Sequence, residues 1–133
     1  MRFMQKVLAF KHSGRVVWRK AADEAVILDV ETAVYYSIDG AGQRMWELLG
    51  ESLTLPSIAR VLAEEYDVDT EKIQNDLAEL AARLRKERLL EAVTPRDDEK
   101  RPACAGRKRY RRPEFLKHGA LSTVAGQTED FSE

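Results

Sequence analysis

Apolar and polar residues alternate over roughly the first forty positions, then recur at three- and four-residue spacing over roughly the next fifty. The first regime predicts strands and the second predicts helices. Arg15-Val16-Val17-Trp18-Arg19 is a β-branched and aromatic run between charges. A weaker strand signal covers Lys6–Phe10, ahead of the turn signal His12-Ser13-Gly14. Ala25-Val26-Ile27-Leu28-Asp29-Val30 and Ala33-Val34-Tyr35-Tyr36-Ser37-Ile38 flank Glu31-Thr32 and read as a hairpin. Glu31-Thr32 is not an Asn-Gly pair, so the turn type stays open. Period two puts Val34, Tyr36 and Ile38 on a core face and Ala33, Tyr35 and Ser37 on the other, with Tyr35 half exposed. Strand packing alone suffices to explain the Tyr35-Tyr36 pair; a binding role is the alternative.

Asp39-Gly40-Ala41-Gly42 ends the sheet and can cap a helix. That helix runs to about Leu49 and buries Met45, Trp46, Leu48 and Leu49. After the break at Gly50-Glu51-Ser52, Thr54 is a candidate N-cap, and Pro56 falls in the tolerated first turn. Ile58, Val61, Leu62 and Glu65 share one mostly apolar stripe. Tyr66-Asp67-Val68-Asp69 makes a tight connection, with Asp69 as N-cap, to a long helix from Thr70 to about Arg88. Ile73, Leu77, Leu80 and Leu84 form its buried seam. Two helices on a short turn read as helix-turn-helix, and the hairpin as a wing. The predicted fold is therefore α+β, a winged helix-turn-helix over residues 1–93. A three-stranded antiparallel sheet is followed by three helices and an extended C-terminal peptide.

Composition changes this picture only beyond the domain. The 133 residues carry a net charge of −1, which gives no global field to hold nucleic acid. Between Lys100 and Arg112, however, Lys100, Arg101, Arg107, Lys108, Arg109, Arg111 and Arg112 face no acidic residue. Residues 94–108, with Pro95, Pro102 and Gly106 among charges, read as a solvated linker, and residues 109–133 as a separate peptide. Nothing around Tyr110, Pro113 and Phe115 gives that peptide a core of its own, so it must lie on a surface. About 15 linker residues reach roughly 19–23 Å, enough to fold back on the domain or to swap into a neighbouring chain.

The chain offers little for catalysis. It lacks a phosphate loop, metal-ligand spacing and a nucleophile elbow, and no cofactor is implied. His12 and His118 both fall near glycines in segments read as irregular, and are expected to face solvent. Cys104, a lone cysteine in the linker, reads as an inert thiol and fits a reducing cytoplasm. No apolar run approaches membrane-spanning length. What remains is binding. A peptide can add to an exposed sheet edge, with main-chain bonds giving affinity and side-chain pockets giving selectivity. Pro113 lowers the entropy cost of extension and the aromatics supply buried area. The basic residues between them can meet Asp76, Glu79 or Glu71.

Residues 15–92 resemble the PqqD-like family, the recognition elements of ribosomally made, post-translationally modified peptides. The residues that carry the resemblance are Ala25-Val26-Ile27-Leu28-Asp29, Thr32, Tyr36, Ile38, Gly42 and Trp46-Glu47-Leu48-Leu49. Tyr66-Asp67-Val68-Asp69, Asp76-Leu77, Leu80, Leu84 and Leu89-Leu90 complete the pattern. The resemblance implies a non-catalytic domain that binds a precursor's leader between its third strand and third helix. It points to Ala33, Val34, Tyr35, Tyr36 and Ser37 on the strand, and to Ile73, Asp76, Leu77, Leu80 and Arg83 on the helix. The tail in turn is similar to lasso-peptide leaders of the form Tyr-x-x-Pro-x-Leu-x-x-x-Gly. Tyr110, Pro113 and Gly119 fall at those spacings, with Phe115 in place of Leu. Thr123 is the candidate Thr before the core, and Thr128 the alternative. A core opening at Ala125 would place Glu133 at its ninth residue, with no threaded tail after it.

These resemblances imply a leader peptide bound in cis or from a neighbouring chain. By family analogy they also imply a leader peptidase and an ATP-dependent macrolactam synthetase as partners. Leader and recognition domain in one chain speak for an engineered tether or a natural fusion. A DNA-binding winged-helix regulator is the competing reading, favoured by the basic cluster. The acidic opening of the third helix, Asp69, Glu71 and Asp76, speaks against nucleic acid there. An enzyme accessory domain with an unrelated tail is the third reading.

Overall fold

The computed structural model describes residues 9–95 and 109–120. Strands β1 (Ala9–His12), β2 (Val16–Ala21), β3 (Glu24–Asp29) and β4 (Val34–Asp39) come first. Helices α1 (Ala41–Leu49), α2 (Leu55–Glu65) and α3 (Thr70–Lys86) follow, then β5 (Leu90–Val93) and β6 (Glu114–Ala120). The architecture is mixed α+β with antiparallel sheets. One sheet has the order β2-β3-β4-β6, and a smaller one pairs β1 with β5.

This corrects the expected three-stranded sheet in two respects. The peptide itself supplies a fourth strand, β6, on the open side of β4. Positions 6–8 of the expected first strand lie outside the described residues. Among the described residues the first strand covers Ala9–His12, two residues past the expected end at Phe10, and it does not join the main sheet. It pairs with β5, the strand that forms where the seam of α3 ends. Arg88 takes a left-handed φ of 65° there. The N–H of Leu89 returns to the Leu84 carbonyl at 2.9 Å, and that of Arg88 to the Arg85 carbonyl at 2.9 Å. These two bonds stop the helix as a glycine cap would, without a glycine to mark the place.

The hairpin turn is also longer than two residues. β3 ends at Asp29, a buried carboxylate gripped by Arg15 at 2.9 Å. Asp29 accepts from the N–H groups of Glu31 and Thr32 at 2.9 and 3.3 Å, and its carbonyl accepts from Ala33 at 2.7 Å. The loop therefore covers residues 30–33, and Ala33 sits in it with φ 64° instead of on the strand. Burial pushes the Asp29 carboxyl upward, but Arg15 and the two N–H groups outweigh it and hold the carboxyl below its usual range.

The helical stripes all turn inward. Met45, Trp46, Leu48 and Leu49 of α1, Ile58, Val61 and Leu62 of α2, and Ile73, Leu77, Leu80 and Leu84 of α3 are buried against Ile27, Tyr36 and Ile38. Glu65, the polar member of the α2 stripe, is fully buried and held by Arg44 at 2.9 Å. Thr54 caps α2 by accepting from the N–H of Ser57 at 3.2 Å. Asp69 stands at the N-cap of α3 without a side-chain capping bond.

His12 departs from the expected solvent-facing placement. Its ring stacks on Trp46 with centroids 3.7 Å apart and planes 7° apart. Its Nε2 donates to the Trp46 carbonyl at 2.8 Å, so β1 is fastened to α1 through a histidine. Burial pushes the imidazole below its ordinary 6.5, and the Trp46 bond and the charge of Glu51 oppose this only in part. The unfolded chain therefore takes up the proton first as pH falls. Stability is fully present above 6.5 and declines as pH drops through 6.5 toward the lower folded value. Urea midpoints measured from pH 7.5 to 5 should fall across that window, and His12→Phe should flatten the decline.

Candidate functional site

The site is built on the edge of β4. An edge strand carries a row of unpaired N–H and C=O groups. Here β6 meets that row antiparallel, with Glu114 opposite Asp39, Phe115 opposite Ile38, Leu116 opposite Ser37 and Lys117 opposite Tyr36. The register then slips by one, and Gly119 and Ala120 lie opposite Tyr35 and Val34. His118 is the extra residue of this bulge, and Gly119 follows at φ +87°, a state that suits glycine.

Side chains fix which face of β6 turns inward. Phe115 is buried, its ring stacked on Tyr36 at 5.5 Å with planes 7° apart. The Arg83 guanidinium covers that ring 5.0 Å from its centroid and donates to the Phe115 carbonyl at 3.2 Å. Tyr36 donates to Glu87 at 3.1 Å, and Lys117 meets the same carboxylate oxygen at 3.1 Å. Burial, then Glu87, pushes the Tyr36 phenol up to about 12, so it remains a donor at any ordinary pH.

Ahead of the strand, Tyr110 donates to Asp76 at 2.6 Å, the length of a charge-assisted bond. Its ring meets Tyr66 edge to face at 5.5 Å. Burial and then the Asp76 carboxylate push its phenol far up, which keeps the proton on the oxygen. Between the two aromatic anchors, Pro113 packs on Gly42, and the Arg111 carbonyl accepts from the N–H of Ala41 at 2.8 Å. A small cleft between α3 and this segment is lined by Asp76, Glu79, Leu80, Arg83, Arg112, Pro113 and Phe115.

Most residues singled out from sequence meet here, in differing ways. Val34, Tyr35, Tyr36 and Ser37 all pair with β6. The Tyr35 ring stacks on His118 at 4.8 Å, and the Ser37 hydroxyl meets His118 Nε2 at 2.8 Å. That contact explains why Ser37 is buried on the face expected to be open. Ala33 lies in the turn, outside the pairing with β6. On α3, Asp76, Leu80 and Arg83 line the cleft, whereas Ile73 and Leu77 are buried in the core. Tyr110, Pro113, Phe115 and Gly119 are all at the interface; Thr123 lies outside the described residues.

Sequence reasoning missed Tyr66, Glu87, Lys117, His118 and the corner from Asp39 to Gly42. The corner left one signal: two glycines where a helix start needs at most one. Among the described residues, no group of three or more potential metal ligands occurs, and no helix is long and apolar enough to cross a membrane.

Fold and site together define a small α+β domain whose sheet edge and third helix hold an extended peptide segment. Residues 24–90, from the start of β3 to the start of β5, match the family model described as coenzyme PQQ synthesis protein D (PqqD), and the chain belongs to that family. A solved structure, TbiB1 in complex with the TbiA(beta) leader peptide, is 34% identical with a TM-score of 0.57. The match covers 61% of this chain and 94% of that one. No curated protein matches.

Truncation of Phe115 tests how firmly the segment is held. Phe115→Ala removes about 3 kcal/mol, the low end for a buried phenylalanine. Tryptic cleavage at Arg109 and Arg111 in the full chain should then quicken by roughly a hundredfold; Arg112 precedes Pro113 and is not a tryptic site. An unchanged cleavage rate would contradict the anchoring.

Proposed function

We propose that residues 1–93 recognise the leader of a precursor peptide by strand addition, and that residues 109–133 are such a leader with the start of a core. Residues 94–108 are the tether. The observation that carries this reading is the pairing of Glu114–Ala120 with β4, with Tyr110 and Phe115 set against α3. The bound leader named for the TbiB1 structure supports it, as does the PqqD family match. The peptide-binding residues are Val34, Tyr35, Tyr36 and Ser37 on β4, with Asp76, Leu80 and Arg83 on α3. Ile73 and Leu77 hold the helix from beneath, and Ala33 sets the turn that ends the edge. The leader anchors are Tyr110, Pro113, Phe115 and Gly119, with Thr123 ahead of the core.

The domain is non-catalytic in this reading, and its fold is of winged helix-turn-helix type with α2 and α3 as the helical pair. It acts in the cytoplasm, in keeping with one cysteine in 133 residues. It delivers a lasso-type precursor to a leader peptidase and an ATP-dependent macrolactam synthetase. The face of α3 that nucleic acid would need carries Asp76 and Glu79 and lies under Arg112, Pro113 and Phe115, which disfavours DNA binding.

A tethered leader occupies its own site. A tether of about 15 residues sets an effective concentration on the order of millimolar, enough to fill even a weak site. A labelled peptide of residues 107–123 should therefore bind a chain ending at Pro95, by fluorescence anisotropy, far more tightly than it binds the full chain. Replacing both Tyr110 and Phe115 by Ala in the peptide should abolish that binding. Equal affinity of the altered and unaltered peptides would overturn the proposal.

A further inference from the structure

The contacts of the segment extend past the sheet edge to the corner between β4 and α1. The chain turns there through Gly40, at φ +67°. A Cβ on Gly40 would lie 2.6 Å from the Arg112 carbonyl oxygen and 3.0 Å from that of Arg111. A Cβ on Gly42 would lie 2.9 Å from Pro113 Cβ and 2.4 Å from Ile38 Cγ2. Between the two glycines, the N–H of Ala41 donates to the Arg111 carbonyl at 2.8 Å. Ala41 is the first residue of α1, so the helix offers its N–H no acceptor. Asp39 adds an ion pair with Arg111 at 3.3 Å.

We infer that Gly40-Ala41-Gly42 is a specificity-determining element that holds residues 111–113 of the leader. This rests on the leader-binding reading and adds a third side to its site. Gly40 and Ala41 meet carbonyl oxygens and are blind to side chains. Gly42 meets the Pro113 ring and so selects by shape. The ligand it fits is an extended peptide with a compact, ring-constrained residue three positions after an aromatic anchor. Proline suits the position because strand pairing begins one residue later, opposite Asp39, so its missing N–H leaves no ladder bond unmade.

Ala41→Pro tests this with little cost to the helix, since proline is favoured at the first helical position. It deletes the N–H and places ring carbon where the Arg111 carbonyl sits. Amide exchange in the full chain reads the outcome. In the unaltered protein the Ala41 amide should be protected, and should open together with the amides of β6. In Ala41→Pro, protection over Glu114–Ala120 should fall roughly tenfold or more, while Val26–Leu28 in β3 keep theirs. Undiminished β6 protection in the variant, or an unprotected Ala41 amide in the unaltered protein, would overturn the inference and leave strand addition standing. Unprotected β6 amides in the unaltered protein would instead overturn the leader reading itself. If Ala41→Pro also exposes β3, the Ala41 amide of the unaltered protein decides the matter.

Discussion

The structure depends on a main-chain obligation. A central strand spends its N–H and C=O groups on two neighbours, whereas an edge strand leaves half of them to water. On one side β4 pairs with β3; on the other it pairs with a segment from far along the same chain. Each such hydrogen bond contributes only about 0.5–1.5 kcal/mol net. The ladder therefore holds any extended peptide weakly and chooses none.

Choice comes from what lies above and beside the ladder. Phe115 between Tyr36 and Arg83, and Tyr110 between Tyr66 and Asp76, fix the segment at two points. Strand geometry then converts those points into a register, because a slip of one residue would turn Phe115 out and Leu116 in. Leu116, half exposed on the outer face, marks the side that the register rejects. The bulge at His118 resets the alternation before the segment leaves the sheet. Glu87 serves both partners, accepting from Tyr36 in the domain and pairing with Lys117 in the segment.

Periodicity in the sequence revealed the helices and the hairpin, because their burial is local and regular. Met45, Trp46, Ile73, Leu77 and Leu84 are placed by spacing alone, and all are buried. What spacing hid was long-range pairing. Nothing in Ala9–His12 says that it joins Leu90–Val93 and not Val16–Ala21, and no glycine marks the cap at Arg88. Ala33 reads as strand by composition, yet Asp29 draws it into a turn through bonds that no alternation pattern encodes. His12 looks like a loop residue by its neighbours, and its stacking on Trp46 is a tertiary fact. For the site, the aromatic anchors and Asp76 were legible as residue types needing partners. Ile73 and Leu77 read as groove residues because the same seam serves groove and core. The Gly40–Gly42 corner was legible only as a cap, since the use of a missing Cβ shows only once another backbone lies against it.

Cross-strand backbone contacts observed by NMR in the full chain test the completed edge most directly. The account predicts proton–proton contacts between Phe115 and Ile38 and between Lys117 and Tyr36, with the sequence of contacts broken at His118 and resumed between Gly119 and Tyr35. Their absence, with Phe115 and Tyr110 ring signals at the positions of a free peptide, would contradict it.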